Sequence, residues 1–291
     1  MKKAVLSTVF SCILSLFLAL ALLVGGLCVY ASSTVCSPDL LTDLARSSGY
    51  CNELYEEIQY DWENLLAITG VADPDPIMAV LTPAQVEADT ISYINDSYKG
   101  SAAINTEALE AELSEKVRTY VLSILPDGTI DADLEKNINE LIASCISDYK
   151  SAVRIPALPK ILGTVSKLAP YLTVGLWASV AAAVVILVFL FFLQRKRHDT
   201  LYFAAISAGT NAVLLFVATG LVTHYQIVER LPIEVSALKT LLSGYLLILL
   251  NTLQKYGYLF LQITLLLLFA YLLAVVVSLL LQRKASKNET T

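Results

Sequence analysis

The chain has 291 residues, 56% of them hydrophobic and only 16% charged, with a mean hydropathy of +0.64. Soluble domains average about 25% charged residues, so this composition is that of a membrane protein. The net charge of −6 is divided by position: residues 31–170 hold 22 acidic and 9 basic residues, while segments 1–3, 194–199 and 282–291 together hold 8 basic and 2 acidic ones. No basic stripe falls on a folded segment, which excludes nucleic acid as a partner.

Four apolar runs, 4–30, 171–193, 201–222 and 258–281, each approach or exceed the ~20 helical residues that cross a hydrocarbon layer. The basic clusters Lys2-Lys3, Arg195-Lys196-Arg197 and Arg283-Lys284-Lys287 flank them. Four crossings place all three clusters in one compartment, which the positive-inside bias makes the cytoplasm. The expected protein is all-α and sits multi-pass in the cell membrane. It has four transmembrane helices, both termini cytoplasmic, and an extracytoplasmic helical domain between the first and second crossings. The expected divisions are a 1–30 anchor, a 31–169 extracellular helical domain and a 170–291 membrane domain with an amphipathic interfacial helix before its last crossing.

Residues 1–30 could be a leader with a cleavage site at Val29-Tyr30-Ala31. The apolar run is longer than the ~7–15 residues of a leader core, which favours an uncleaved anchor.

Between the first two runs the pattern is that of amphipathic helices. Ser37-Pro38-Asp39 reads as an N-cap, a first-turn proline and a carboxylate matched to the helix dipole. A helix over 50–68 has the apolar stripe Leu54, Ile58, Trp62, Leu65 and Leu66, and Gly70 stops it. Asp73-Pro74-Asp75-Pro76 breaks the chain there. Thr82-Pro83-Ala84-Gln85 is a capping box opening a helix to about Lys99, which Gly100 ends. Asn105 or Thr106 caps the next helix, with Leu109, Leu113, Val117, Tyr120, Val121 and Ile124 inward. Pro126-Asp127-Gly128 turns the chain. Asp131 then caps a helix to about Arg154 with the stripe Leu134, Ile138, Leu141, Ile142, Cys145 and Tyr149. Pro156 and Pro159 break that helix, and a short one over about 160–168 leads through Pro170 into the second span. About 130 residues are enough to bury a core without staples.

Segment 232–255 gathers Leu238, Leu241, Leu242, Tyr245, Leu249 and Leu253 on one side. Ser236, Lys239, Thr240, Ser243, Asn251, Gln254 and Lys255 fall mostly on the other. This predicts a helix lying along the outer membrane face or packed against the helical domain.

Motifs for chemistry are few. Asp127-Gly128-Thr129-Ile130-Asp131 resembles the middle of a calcium loop. That register places Ser123, Leu125 and Leu134 at ligand positions, and two of these cannot ligate. Cys36, Cys51 and Cys145 lie outside, where a Cys36–Cys51 bridge is as consistent with the sequence as three reduced thiols. His198 and His224 fall at opposite ends of the third span, and no spacing suits a metal. The outer domain has no histidine to serve a nucleophile. Glu56/Glu57 and Glu110/Glu112 read as solvated helix faces. Asn211 sits mid-span, where small residues on the second and third spans predict close packing with one interhelical hydrogen bond. No catalytic, cofactor-binding or metal-binding residue is assigned, and no cofactor is expected.

The Lys2-Lys3 anchor, Ser48-Gly49-Tyr50 followed by Glu53-Leu54-Tyr55-Glu56-Glu57, the Leu81-Thr82-Pro83 helix start and the C-terminal membrane hairpin resemble a group of uncharacterised multi-pass membrane proteins of Gram-positive bacteria. That resemblance implies a cell-membrane protein with an extracytoplasmic helical domain and implies no activity. The order of one span, a large outer domain and three spans is also similar to the permeases of mechanotransmission-type ABC systems. Here the loop joining spans two and three is six residues long. The expected function is a non-enzymatic, membrane-anchored interaction or sensing protein whose acidic domain meets an unidentified protein partner or a cationic ligand. A permease-like subunit of an ABC-type or mechanotransmission system is the alternative.

Overall fold

A computed structural model describes residues 2–125, 128–194, 198–226 and 236–288, and all regular structure among them is helical. The helices are α1 (Lys2–Tyr30), α2 (Pro38–Ser47), α3 (Tyr50–Ile68), α4 (Asp75–Met78), α5 (Pro83–Tyr98), α6 (Glu107–Ile124), α7 (Ala132–Val153), α8 (Leu158–Leu193), α9 (Asp199–His224) and α10 (Ser236–Asn288). A π-helical turn, Ala31–Val35, extends α1. The chain divides into two units. One comprises Ser37–Lys167 with Leu231–Tyr245, and the other Met1–Cys36, Leu168–Arg230 and Leu246–Thr291. The basic hinge 195–197, the turn residues Pro126 and Asp127, the segment 227–235 and the last three residues lie outside the described residues.

The helical unit closes around Trp62 and Tyr149, both fully buried, with Leu54, Ile58, Leu66, Ile77, Ile94, Leu109 and Leu113 packed in the same interior. The buried polar ends are satisfied, as burial demands. Trp62 Nε1 donates to the Cys145 carbonyl at 3.0 Å, Tyr93 Oη to the Ile155 carbonyl at 3.1 Å and Tyr98 Oη to the Ser37 carbonyl at 3.0 Å. Tyr149 Oη donates to Asp89. Three tyrosines and a tryptophan thus tie α3, α5 and α7 to backbone or side-chain acceptors elsewhere in the unit.

Local signals set the helix ends. Thr82 Oγ1 accepts from Gln85 N–H at 3.3 Å and Asp131 Oδ1 from Leu134 N–H at 2.8 Å. Asn105 Oδ1 accepts from Glu107 N–H at 3.1 Å, although Thr106 holds the cap position. Ser37 is extended at the start of α2, as an N-cap should be, yet its side chain caps nothing. The stripe of α6 is buried through Leu109, Leu113 and Val117. It surfaces at its end, where Ile124 is 61% exposed beside a second, apolar hollow of about 220 Å³.

Two joints differ from expectation. The short helix before Pro170 and the second span form one 36-residue helix, α8, with Pro170 in its interior. Interior proline is tolerated in membrane helices because neighbours re-satisfy the freed backbone groups. The predicted 232–255 helix and the last span are likewise one helix of 53 residues. No proline interrupts this stretch, so nothing in it forces the hydrogen-bond ladder to break. The first part of α10, through Tyr245, belongs to the helical unit. There Ala237 and Leu241 are each 1% exposed and Thr240 Oγ1 meets Glu53 Oε2 at 3.3 Å. Of the expected 232–255 segment, residues 236–245 pack in the helical domain, 246–255 belong to the other unit, and 232–235 lie outside the described residues.

Four helical stretches, Thr8–Val35, Ala132–Leu193, Asp199–His224 and Ala237–Leu281, each contain an 18-residue segment long and apolar enough to cross a membrane, of mean hydropathy 2.7, 2.8, 1.8 and 2.8 respectively. Four such helices are what a multi-pass membrane protein requires. Within the second unit α1 packs along α9, and the contact is polar at its centre. Ser15 and Ser207 hydroxyls lie 3.0 Å apart, and Ser207 Oγ also donates to the Ser15 carbonyl at 2.8 Å. Asn211 Nδ2 donates to the Ala19 carbonyl at 3.0 Å, and Gln194 Nε2 to Ser11 Oγ at 2.7 Å. Small residues let α8 approach α1: a Cβ on Gly25 would stand 2.6 Å from Ser179 Oγ.

Candidate functional site

A hollow with charged walls in the helical unit has a volume of about 370 Å³, within the range of small-ligand sites. Helix α3 supplies Tyr50, Leu54, Glu57 and Asp61, successive positions on one helical face. Helix α7 adds Asp148, Ser151 and Ala152, the segment after it Arg154, Ile155 and Pro156, and the first turn of α10 Ala237 and Leu238. The apolar stripe of α3 turns inward at Leu54 and Ile58, which leaves Glu57 and Asp61 on the adjoining edge. The end of α7 brings Asp148 to the same edge.

Electrostatics set this hollow apart from an ordinary helix surface. Glu57 and Asp148 are both raised from the usual carboxylate range, first by partial desolvation and then by the Asp61 charge. None of the three carboxylates makes an ion pair or a hydrogen bond among the described residues. Elsewhere in the unit carboxylates do find partners: Glu135 takes a two-pronged contact from Arg118 at 2.6 and 2.8 Å, and its pKa is lowered by that bond. Arg154 lines the hollow without pairing to any of the three, and its guanidinium acts on the Tyr93 hydroxyl instead.

Tyr50 forms the floor. It is 2% exposed, yet its hydroxyl has no hydrogen-bond partner among the described residues. Burial raises its pKa strongly, with Cys51 and Glu57 adding to the shift. A phenol that stays protonated this firmly is a hydrogen-bond donor and acceptor, not a base.

The residues singled out from the sequence fall in separate places. Glu57 lines the hollow although it is exposed, as are Glu56, Glu110 and Glu112, which lie elsewhere. Cys36, Cys51 and Cys145 are joined by no disulfide. Burial pushes the Cys51 thiol up to about 11 and the Cys145 thiol up to about 12, so neither is a thiolate at neutral pH. Gly128 has φ +59, a turn conformation, while its neighbour Asp127 lies outside the described residues. No group of three or more histidine, cysteine, aspartate or glutamate residues is placed to hold a metal ion among the described residues. Asn211 makes its interhelical bond to α1, not to α8 as its small-residue neighbours had implied. His198 is 3.5 Å from Asp199 with its ring tilted against Tyr271, and His224 meets Tyr225 edge-on.

Sequence reasoning missed Tyr50, Asp61 and Asp148 as a group. The spacing of Glu57 and Asp61 by four residues was the available signal, but Asp148 reaches them only through the packing of α7 on α3. Scans against protein-family models, curated proteins and solved structures return no match to this chain.

Proposed function

We propose that the chain is a membrane-anchored, non-enzymatic interaction or sensing protein that presents its acidic helical unit outside the cell, between the first and second crossings. The supporting observation is a helical unit with its own closed core around Trp62 and Tyr149 and an unneutralised acidic hollow on its surface. Core closure matters because a unit that buries its own apolar surface can present a site without help from a second domain. The chemistry around the hollow favours binding over turnover. Its carboxylates have no histidine, thiolate or lysine beside them to share proton transfer, and Tyr50 holds its proton.

Mild detergent extraction of the tagged full-length protein, followed by identification of what co-purifies, tests this reading. The expected partner is a membrane-bound or extracytoplasmic protein. Stoichiometric recovery of a cytoplasmic ATPase would overturn it in favour of a permease-like subunit.

A further inference from the structure

We propose that the hollow between α3, α7 and the start of α10 is a binding site for a small aliphatic amine, its ammonium group held among Glu57, Asp61 and Asp148 and its hydrocarbon body lying on Leu54, Ile155 and Leu238. This inference rests on the reading of the helical unit as a binding module and names the chemistry of its ligand.

Three independent features converge on that chemistry. The first is charge: three carboxylates against one guanidinium leave the lining negative, and no protein cation neutralises them among the described residues. Carboxylates partly removed from water and facing one another repel, and a cation between them removes that repulsion. The second is the floor. Tyr50 is almost wholly buried yet has an unpartnered hydroxyl, which an N–H donor on a ligand would satisfy. The third is the remaining wall of Leu54, Ile155, Pro156, Ala237 and Leu238, which suits methylene groups and gives nothing to a hydrated inorganic ion. Among the described residues no group of three or more histidine, cysteine, aspartate or glutamate residues is placed to hold a metal ion.

Isothermal titration of the full-length protein in detergent micelles with 1,5-diaminopentane, at neutral pH and low salt, tests the site. The neutral 1,5-pentanediol serves as control. The expected result is saturable binding of the diamine and none of the diol. Glu57→Gln and Asp148→Asn should each weaken binding by about tenfold. Tyr50→Phe should weaken it by less, and Arg154→Gln should leave it unchanged or tighten it. Unaltered Trp62 fluorescence, read in a Trp177→Phe background, certifies that each variant is folded. The absence of saturable binding, equal binding of the diol, or full binding by a folded Glu57→Gln/Asp148→Asn double variant would each overturn the proposal. The pull-down described above is separate. A protein partner recovered without amine binding removes this inference alone, and amine binding together with a cytoplasmic ATPase removes the interaction reading alone.

Discussion

At the residue scale, the informative groups are those whose partners are missing or doubled. Glu57 and Asp148 carry raised pKa values, so the folded state takes up protons more readily than the unfolded one. Stability is therefore lost as pH rises through their folded values and regained below them, the reverse of a paired carboxylate. Glu135, lowered by Arg118, works the other way: its contribution is present above the ordinary carboxylate value and fades as pH falls through the folded one. Without ligand, Glu57→Gln or Asp148→Asn is expected to hold or raise the melting temperature at neutral pH, followed by Trp62 fluorescence in a Trp177→Phe background. A drop in both variants would mean that these carboxylates have stabilising partners. In the membrane unit, Ser207 bonds Ser15 twice while Asn211 uses only its amide nitrogen, its Oδ1 being buried without a partner among the described residues. Ser207→Ala should therefore destabilise the bundle more than Asn211→Ala, each by about 0.6–1.7 kcal/mol. Unfolding in mixed detergent micelles measures both, and no loss of stability in either variant would refute the assignment of α1 as the polar partner of α9.

At the element scale, ends and stripes were legible because the signals that set them are local. Thr82 and Asp131 cap as their sequences imply, and Leu54, Ile58, Trp62 and Leu66 are buried as the 3.6-residue period requires. Joints were less legible. Pro170 reads as a break, yet the helix runs through it, and no residue in 245–258 marks where one amphipathic segment yields to a span. Serine contributes the other blind spot. In a helix it satisfies itself on a carbonyl one turn back, so Ser15 and Ser207 look neutral until two helices are seen together. The close passage of α8 over the end of α5 was also hidden: a Cβ on Gly163 would lie 2.7 Å from the Gly100 Cα, against backbone that cannot turn aside. Gly163→Ala is expected to cost about 1–3 kcal/mol, read as a lowered midpoint in denaturant. Gly220→Ala, with open space around it, should cost nothing.

At the scale of the whole molecule, the sequence made the class and number of apolar helices plain, because twenty-residue runs without charge have few other uses. The amine hollow was not legible, since its carboxylates come from α3 and α7 and meet only after the core has formed. The orientation proposed here is testable by labelling intact cells with an impermeant maleimide, on a background with all five cysteines replaced. Ser101→Cys should react from outside, and Lys287→Cys only after the membrane is opened. Labelling of position 287 on intact cells would reverse or re-thread the chain.

The hydrogen bond from Asn211 to Ala19 also has a consequence in time. Its two ends are 192 residues apart in the sequence. At ~5–20 residues per second, a ribosome needs about 10–40 s to make the intervening chain. The first helix must idle in the lipid for that interval, with its mate not yet translated. Nascent chains stalled before α9 should accordingly be the species that membrane quality-control proteases clear fastest.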